Sequence, residues 1–281
     1  LIVSGPLGRL AELYDAQISI ALFGAQAARR VLEAGFTTIR NIGAGNYSDA
    51  ALRDLIKKGV VPGPRMYVAT RGVGATGGHA DINGWNPDLN LPGWAQIADG
   101  VDELRKAVRE QVKFGADLIK VTATGGVLSA GTALSEQQYS LEELKAIVET
   151  ANMLGVKVAA HAHSPGGMND AIRAGVASIE HGSLIDDEGI RLAKEHGTYV
   201  VPTLYTLDFI TQEGPAWGVP EYSISKAKSM AEKQRAHLKK AYHEGVKFAY
   251  GTDAAVFPHG RNAKDFKILV EELAVPPMDA I

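Results

Sequence analysis

One pattern recurs seven times along this chain: a helix-like stretch closes on glycine, and a short run rich in Val, Ile, Thr or Tyr follows. It appears in EAGFTTIRNIG (33–43), KKGVVPGPRMYVAT (57–70), KFGADLIKVTA (113–123) and MLGVKVAAHAH (153–163). RAGVASIEHG (173–182), EHGTYVVPTL (195–204) and HEGVKFAYGTD (243–253) repeat it. Glycine adopts the left-handed conformation that ends a helix, and a short β-branched run reads as a buried strand. Helical patterns such as SDAALRDLIKKG, VDELRKAVREQVKFG, SLEELKAIVETANMLG and DDEGIRLAKEHG lie between them. Several open on Ser or Asp suited to an N-cap, and SLEE carries the capping-box spacing. Strands alternating with helices imply right-handed crossovers and a parallel sheet.

Two architectures satisfy that pattern, an open doubly wound sheet and a (β/α)8 barrel. No G-x-G-x-x-G follows any strand, which removes the usual reason to choose a dinucleotide-binding sheet. Polar residues instead end many strands: Arg40, Lys120, His161, His181, Thr203 and Asp253. A barrel draws its chemistry from several strand ends, whereas an open sheet gathers it at one switch point. The expectation is a barrel. Two long connections, 71–100 and 204–220, read as loops over the catalytic face.

Composition narrows the function. The 281 residues are 46% hydrophobic and 22% charged with a net charge of −3, which offers no footprint for nucleic acid or anionic membrane. The absence of cysteine excludes disulfides, thiolate metal sites and a cysteine nucleophile. No apolar run reaches the roughly 18 residues of a membrane span. No basic-then-apolar leader is visible at the N-terminus, so the cytoplasm is the expected location. The chain also lacks an initiating Met.

Lys120 is the conspicuous residue, because it interrupts the apolar strand LIKV and an unpaired ammonium is expensive to bury. With His161, His181 and Asp253 it forms a set of strand-end groups. Histidine and aspartate are good ligands for zinc with an open position for water. Bound metal brings the pKa of that water toward neutrality, and a neighbouring aspartate can take and return its proton. Each residue has a plainer alternative: a hydrogen-bonded structural histidine, a turn-closing aspartate, a lysine paired with a carboxylate.

The segments DLIKVTATGG, KVAAHAH, AGVASIEHGSLIDDEG and YGTDAAVFPHGRNAK resemble the metal-dependent amidohydrolase superfamily. The branch most similar is the imidazolonepropionase-like one, with its dipeptidases, carboxypeptidases and ochratoxin-type amide hydrolases. The resemblance runs from AARRVLEAGFTTIRNIG to VPPMDAI. It implies that Lys120 is carboxylated by CO2 and bridges two divalent ions, with His161 and His181 on the second metal. Asp253 would bind the first metal and shuttle the proton. His163 lies on the same strand face as His161 and is assigned to substrate or to a supporting role.

The resemblance also implies a His-x-His pair ending the first strand, followed by an apolar residue where Leu1 falls. No histidine precedes His79, so the first strand and the accessory β-sandwich are read as missing from this chain. Residues 1–281 are expected to be one barrel domain, incomplete at both ends. His79, Tyr205, His259 and Arg261 are the other substrate-binding candidates, and Gly125 and Gly126 allow close backbone approach. His196, His237 and His243 are expected to be solvated on helices. The reading is a hydrolase of amide C–N bonds in dipeptides, N-acyl amino acids or ochratoxin-like amides, using zinc, manganese or cobalt. A cyclic-amide hydrolase of the imidazolone type and a catalytically inactive barrel fragment remain as alternatives. The resemblance favours a homo-oligomer.

Overall fold

The glycines end helices as expected: Gly175 (φ 95°) and Gly197 (φ 68°) are left-handed immediately after two of them. The computed structural model describes residues 17–281 except Pro87, Asn90 and Pro92. The expectations placed on the N-terminal segment, including the register of Leu1, lie outside the described residues.

The order is α1 (Gln17–Glu33), β1 (Thr38–Asn41), α2 (Ser48–Lys57), β2 (Arg65–Val68), β3 (Gly72–Gly74), β4 (Ala95–Ile97) and α3 (Gly100–Lys113). Then come β5 (Leu118–Thr122), α4 (Leu141–Met153), β6 (Lys157–Ala162), α5 (Pro165–Ala174), β7 (Ser178–His181) and α6 (Asp187–His196). The chain closes with β8 (Tyr199–Val201), α7 (Leu204–Gln212), α8 (Glu221–His243), α9 (Lys264–Glu271) and α10 (Pro277–Ala280). Every paired strand is parallel, in one sheet β1-β2 and another β4-β3-β5-β6-β7-β8. The two sheets abut where Asp117 N donates to Val68 O at 2.7 Å. On the other side Phe36 stacks on Tyr250 and Phe266, with centroids 5.7 and 6.3 Å away. That seam is made of side chains.

Strand alternation separates two environments. Ile119, Val121, Val158, Ala160, Ile179 and Val200 face outward into a core shared with Leu104, Val108, Leu144, Ile147, Ile172 and Ile190 of the helices. Each such aliphatic side chain contributes about 1.5–3 kcal/mol by leaving water. The inward set is different: Leu118 and Ala159 join Ala69 in a small apolar plug. Above it Lys120, His161 and Glu180 line a cavity of about 350 Å³. Register sets their heights: His161 is level with Glu180 and Thr122, while Lys120 pairs with Ala159, one inward-facing layer below.

Four sequence expectations need correction. Residues 204–220 are not a loop: α7 and a 3-10 turn at Gly214–Trp217 occupy them. Leu204, Leu207, Phe209 and Ile210 supply that helix's buried side. Residues 71–100 contain β3 and β4, each too short for a periodicity to show. The run in HEGVKFAYGTD is reduced to one parallel bridge, Phe248 with Val200, because among the described residues only β8 pairs with it. His237 and His243 are not simply solvated, since each ring bonds a carbonyl, Ile185 O at 2.8 Å and Leu273 O at 3.0 Å. His196 is exposed as expected.

Candidate active site

Lys120 answers for its own burial. It is 5% exposed, with Leu118 beneath it in the plug and Thr122 above it. Burial pulls its amine down to about 8, against the opposing pull of the Glu180 and Asp253 carboxylates, and Arg40 adds to the fall. A substantial neutral fraction therefore exists near physiological pH. Asp253 is ringed by protein yet open to the cavity. Although the residue is exposed at the cavity, the protein packed around its carboxyl strips water from it and raises it to about 6, while Lys120 pulls the other way.

Backbone strain helps to aim the site. His181 (φ 73°), Thr203 (φ 47°) and Asp253 (φ 54°) are left-handed non-glycine residues, and all three line the same cavity. Such conformations gather at functional positions because they cost free energy elsewhere unrewarded. At His181 the departure breaks strand alternation, so Glu180 and His181 both reach the cavity despite being adjacent. Glu180 itself is anchored by Arg40, whose Nη2 donates to both carboxylate oxygens at 2.7 and 2.9 Å. Ser178 Oγ accepts from Arg40 at 2.8 Å and donates to Glu180 at 2.6 Å.

Four imidazoles pack together. His161 lies 4.3 Å from His79, 4.7 Å from His163 and 4.7 Å from His181 between ring centroids, and His163 lies 4.8 Å from His181. Burial holds His161, His163 and His181 neutral, His163 down to about 3 and the other two well below the usual range. One ligand atom from each of these three lies within 4.8 Å of the others, so the group could hold a metal ion. Tetrahedral zinc separates two nitrogens by about 3.4 Å, so the widest pair would close by somewhat over an ångström. Buried neutral nitrogens beside a lysine amine and a carboxylate are a donor set that suits a divalent cation.

Hydrogen bonds say which nitrogens are free. His181 Nδ1 meets Thr203 Oγ1 at 2.6 Å, which leaves Nε2 for a ligand. His161 Nε2 faces Gly125 O at 3.4 Å and must carry the proton there, which leaves Nδ1. His163 Nδ1 meets Ser183 Oγ at 2.9 Å, and that hydroxyl accepts from Gln234 Nε2 at 3.2 Å. When Ser183 gives its own proton to His163 Nδ1, the imidazole proton lies on Nε2.

The remaining candidates divide. His79 bonds Ser129 Oγ through Nδ1 at 2.9 Å and lines the cavity, as does His259. Both His259 ring nitrogens are buried without a hydrogen-bond partner, and burial takes the ring down to about 4. Tyr205 and Arg261 do not line the cavity: the tyrosine hydroxyl sits with Glu213 at 3.2 Å, Lys264 at 3.0 Å and Arg261 at 3.4 Å. Glu180, Ser183 and Ser129 were not singled out by sequence reasoning. Glu180 had a visible signal, a carboxylate beside a strand-end histidine in SIEH.

Comparison with known proteins now settles the lineage. The amidohydrolase family profile matches residues 3–281. The chain belongs to the amidohydrolase family. It is 36% identical over 276 residues to an ochratoxinase from Aspergillus niger, covering 92% of this chain and 56% of that protein. The chain thus spans a little over half the length of that relative. Among solved structures, a Xaa-Pro dipeptidase with methionine in its active site superimposes with TM-score 0.87 at 41% identity, covering 93% of this chain and 65% of the other. A prolidase complexed with N-methylphosphonate-L-proline gives TM-score 0.90 at 34% identity, covering 100% and 69%. No helix among the described residues of this amidohydrolase is long and apolar enough to cross a membrane.

Proposed function

We propose that this amidohydrolase is a metal-dependent hydrolase of amide C–N bonds in dipeptides or N-acyl amino acids, with residues 1–281 in a single barrel domain. The observation that carries the proposal is the meeting of Lys120, His161, His181 and Asp253 around one cavity at the strand ends. The similarity to an ochratoxinase and a Xaa-Pro dipeptidase supports the substrate class. A divalent cation, zinc by preference, would polarise the scissile carbonyl and activate water. His161 through Nδ1 and His181 through Nε2 would hold one such cation, and the Asp253 carboxylate another. Neutral Lys120 can add CO2, forming an N–C bond and releasing a proton, which turns the amine into an anionic oxygen donor.

The chain's own groups then divide the work. Asp253, which lines the cavity beside Lys120, takes a proton from the attacking water and delivers it to the departing amine. Arg40 and Ser178 tie the Glu180 carboxylate in place at the wall of the cavity that Lys120 also lines. His163, with its proton on Nε2, and His79 are placed to donate to substrate oxygens, and His259 offers unpartnered ring nitrogens to a substrate carboxylate. A symmetric homo-oligomer is part of the proposal and is read by sedimentation.

The test is metal content of the purified protein, measured beside hydrolysis of a panel of dipeptides and N-acyl amino acids. One or two equivalents of metal with turnover is the expected result. No metal after incubation with excess zinc or manganese would overturn the proposal.

A further inference from the structure

The loop after β5 borders a second, smaller cavity that has the histidines on one side and an apolar wall on the other. Gly125 O faces His161, Ser129 Oγ bonds His79, and Gly126 lies against the His79 ring. On the other side Val127 and Leu128, with Leu207, Ile210 and Val256, line a pocket of about 50 Å³ that His161, His163, His181 and Asp253 also line. Loop position therefore sets both the placement of His79 and the width of this pocket.

A single ammonium gathers the loop. Lys226, on α8, donates from Nζ to Gly126 O at 3.1 Å, Ser129 O at 2.9 Å and Thr132 O at 2.6 Å. Three protons meet three carbonyls that would otherwise converge and repel. One helical turn earlier Tyr222 OH reaches Leu128 O at 3.5 Å, so the same helix face touches the loop twice. The opposite pocket wall belongs to α7, which packs with α8 through Leu207, Ile210, Ile224, Ala227 and Met230. One helix thus carries the tether for the loop and the seat for the facing wall.

We propose that Lys226 is a positioning residue: by clasping the 125–132 loop it fixes His79 and holds open an apolar pocket that selects substrates with an apolar side chain beside the scissile amide. The specificity half rests on the hydrolase reading above, whereas the loop-holding half does not. Lys226→Met keeps the aliphatic stem and removes the ammonium. Hydrogen exchange by mass spectrometry on the peptide spanning the loop should accelerate by about tenfold while α4 and α5 peptides stay unchanged. Both substrates should lose what the placement of His79 contributes, and a leucine-containing dipeptide should lose about tenfold more kcat/KM than its glycine analogue, the extra loss lying in KM.

Unchanged exchange in a folded Lys226→Met protein would overturn the proposal, and equal losses on the leucine and glycine substrates would overturn its specificity half. If Lys226→Met fails to fold, Lys226→Arg keeps the charge but offers a planar fork to carbonyls arranged for a compact ammonium. The same two readouts, in the same directions, then decide. A wild-type protein that hydrolyses neither substrate refutes the hydrolase reading and the specificity half together. Loop exchange decides the hold of Lys226 in either case.

Discussion

A methyl group on Gly126 would stand 2.2 Å from the His79 ring and could not be accommodated unless that ring moved. Gly126→Ala is expected to displace His79, cost about 1–3 kcal/mol by overpacking, and cut kcat/KM for any amide substrate at least tenfold. A thermal melt and steady-state kinetics check both; full activity would show that His79 takes no part in turnover. At this scale the sequence was informative where chemistry coincided with a repeat. Lys120, His161, His181 and Asp253 each end a Gly-punctuated unit, and all four reach one cavity. Tyr205 and Arg261 looked equally suited, yet their polar atoms are drawn to Glu213 and Lys264 instead. Lys226 was invisible because its acceptors lie 94 to 100 residues away.

The start of α7 shows how far an element's determinants can lie from it. Thr203 makes no side-chain cap, and the Asp265 carboxylate of α9 accepts from Leu204 N at 2.6 Å and Tyr205 N at 3.2 Å. No local pattern announces such a helix, which is why 204–220 read as a loop. By contrast Ser140 and Glu143 form the capping box at α4 that SLEE foretold, because both partners are local. Burial raises the Asp265 carboxyl to about 7, with the two backbone donors opposing. The folded protein therefore binds a proton here that the unfolded chain has released above its ordinary carboxylate pKa. Its contribution is fully present at acid pH below that value and is lost as pH rises through about 7. Asp265→Asn should flatten this dependence, so that the stability difference between wild type and variant changes between pH 4 and pH 7.5. Denaturant titrations at those pH values measure it, and parallel curves would mean Asp265 is ionised throughout.

For the whole molecule, the parallel strands and the rim of polar residues were legible because strand-helix alternation is a global constraint written seven times. The junctions between the two sheets were not legible, since Asp117 meets Val68, and Phe36 meets Tyr250 and Phe266, through contacts without sequence periodicity. If His161 and His181 hold a cation, its removal must lower stability, by about 4 kcal/mol when free metal stands a thousandfold above Kd. Melting with and without a chelator should reveal a drop of several degrees that vanishes in His161→Ala. A drop that survives that substitution would place the metal elsewhere.

The aromatic seam between Phe36, Tyr250 and Phe266 has a mechanical meaning. A backbone ladder behaves like a ratchet, because its partners can exchange only in whole-residue steps. Stacked rings behave like a lubricated joint, since offset faces can slide by fractions of an ångström with little loss. Phe36 and Tyr250 are also walls of the 350 Å³ cavity, so a shift of the stack would change the shape of the chamber.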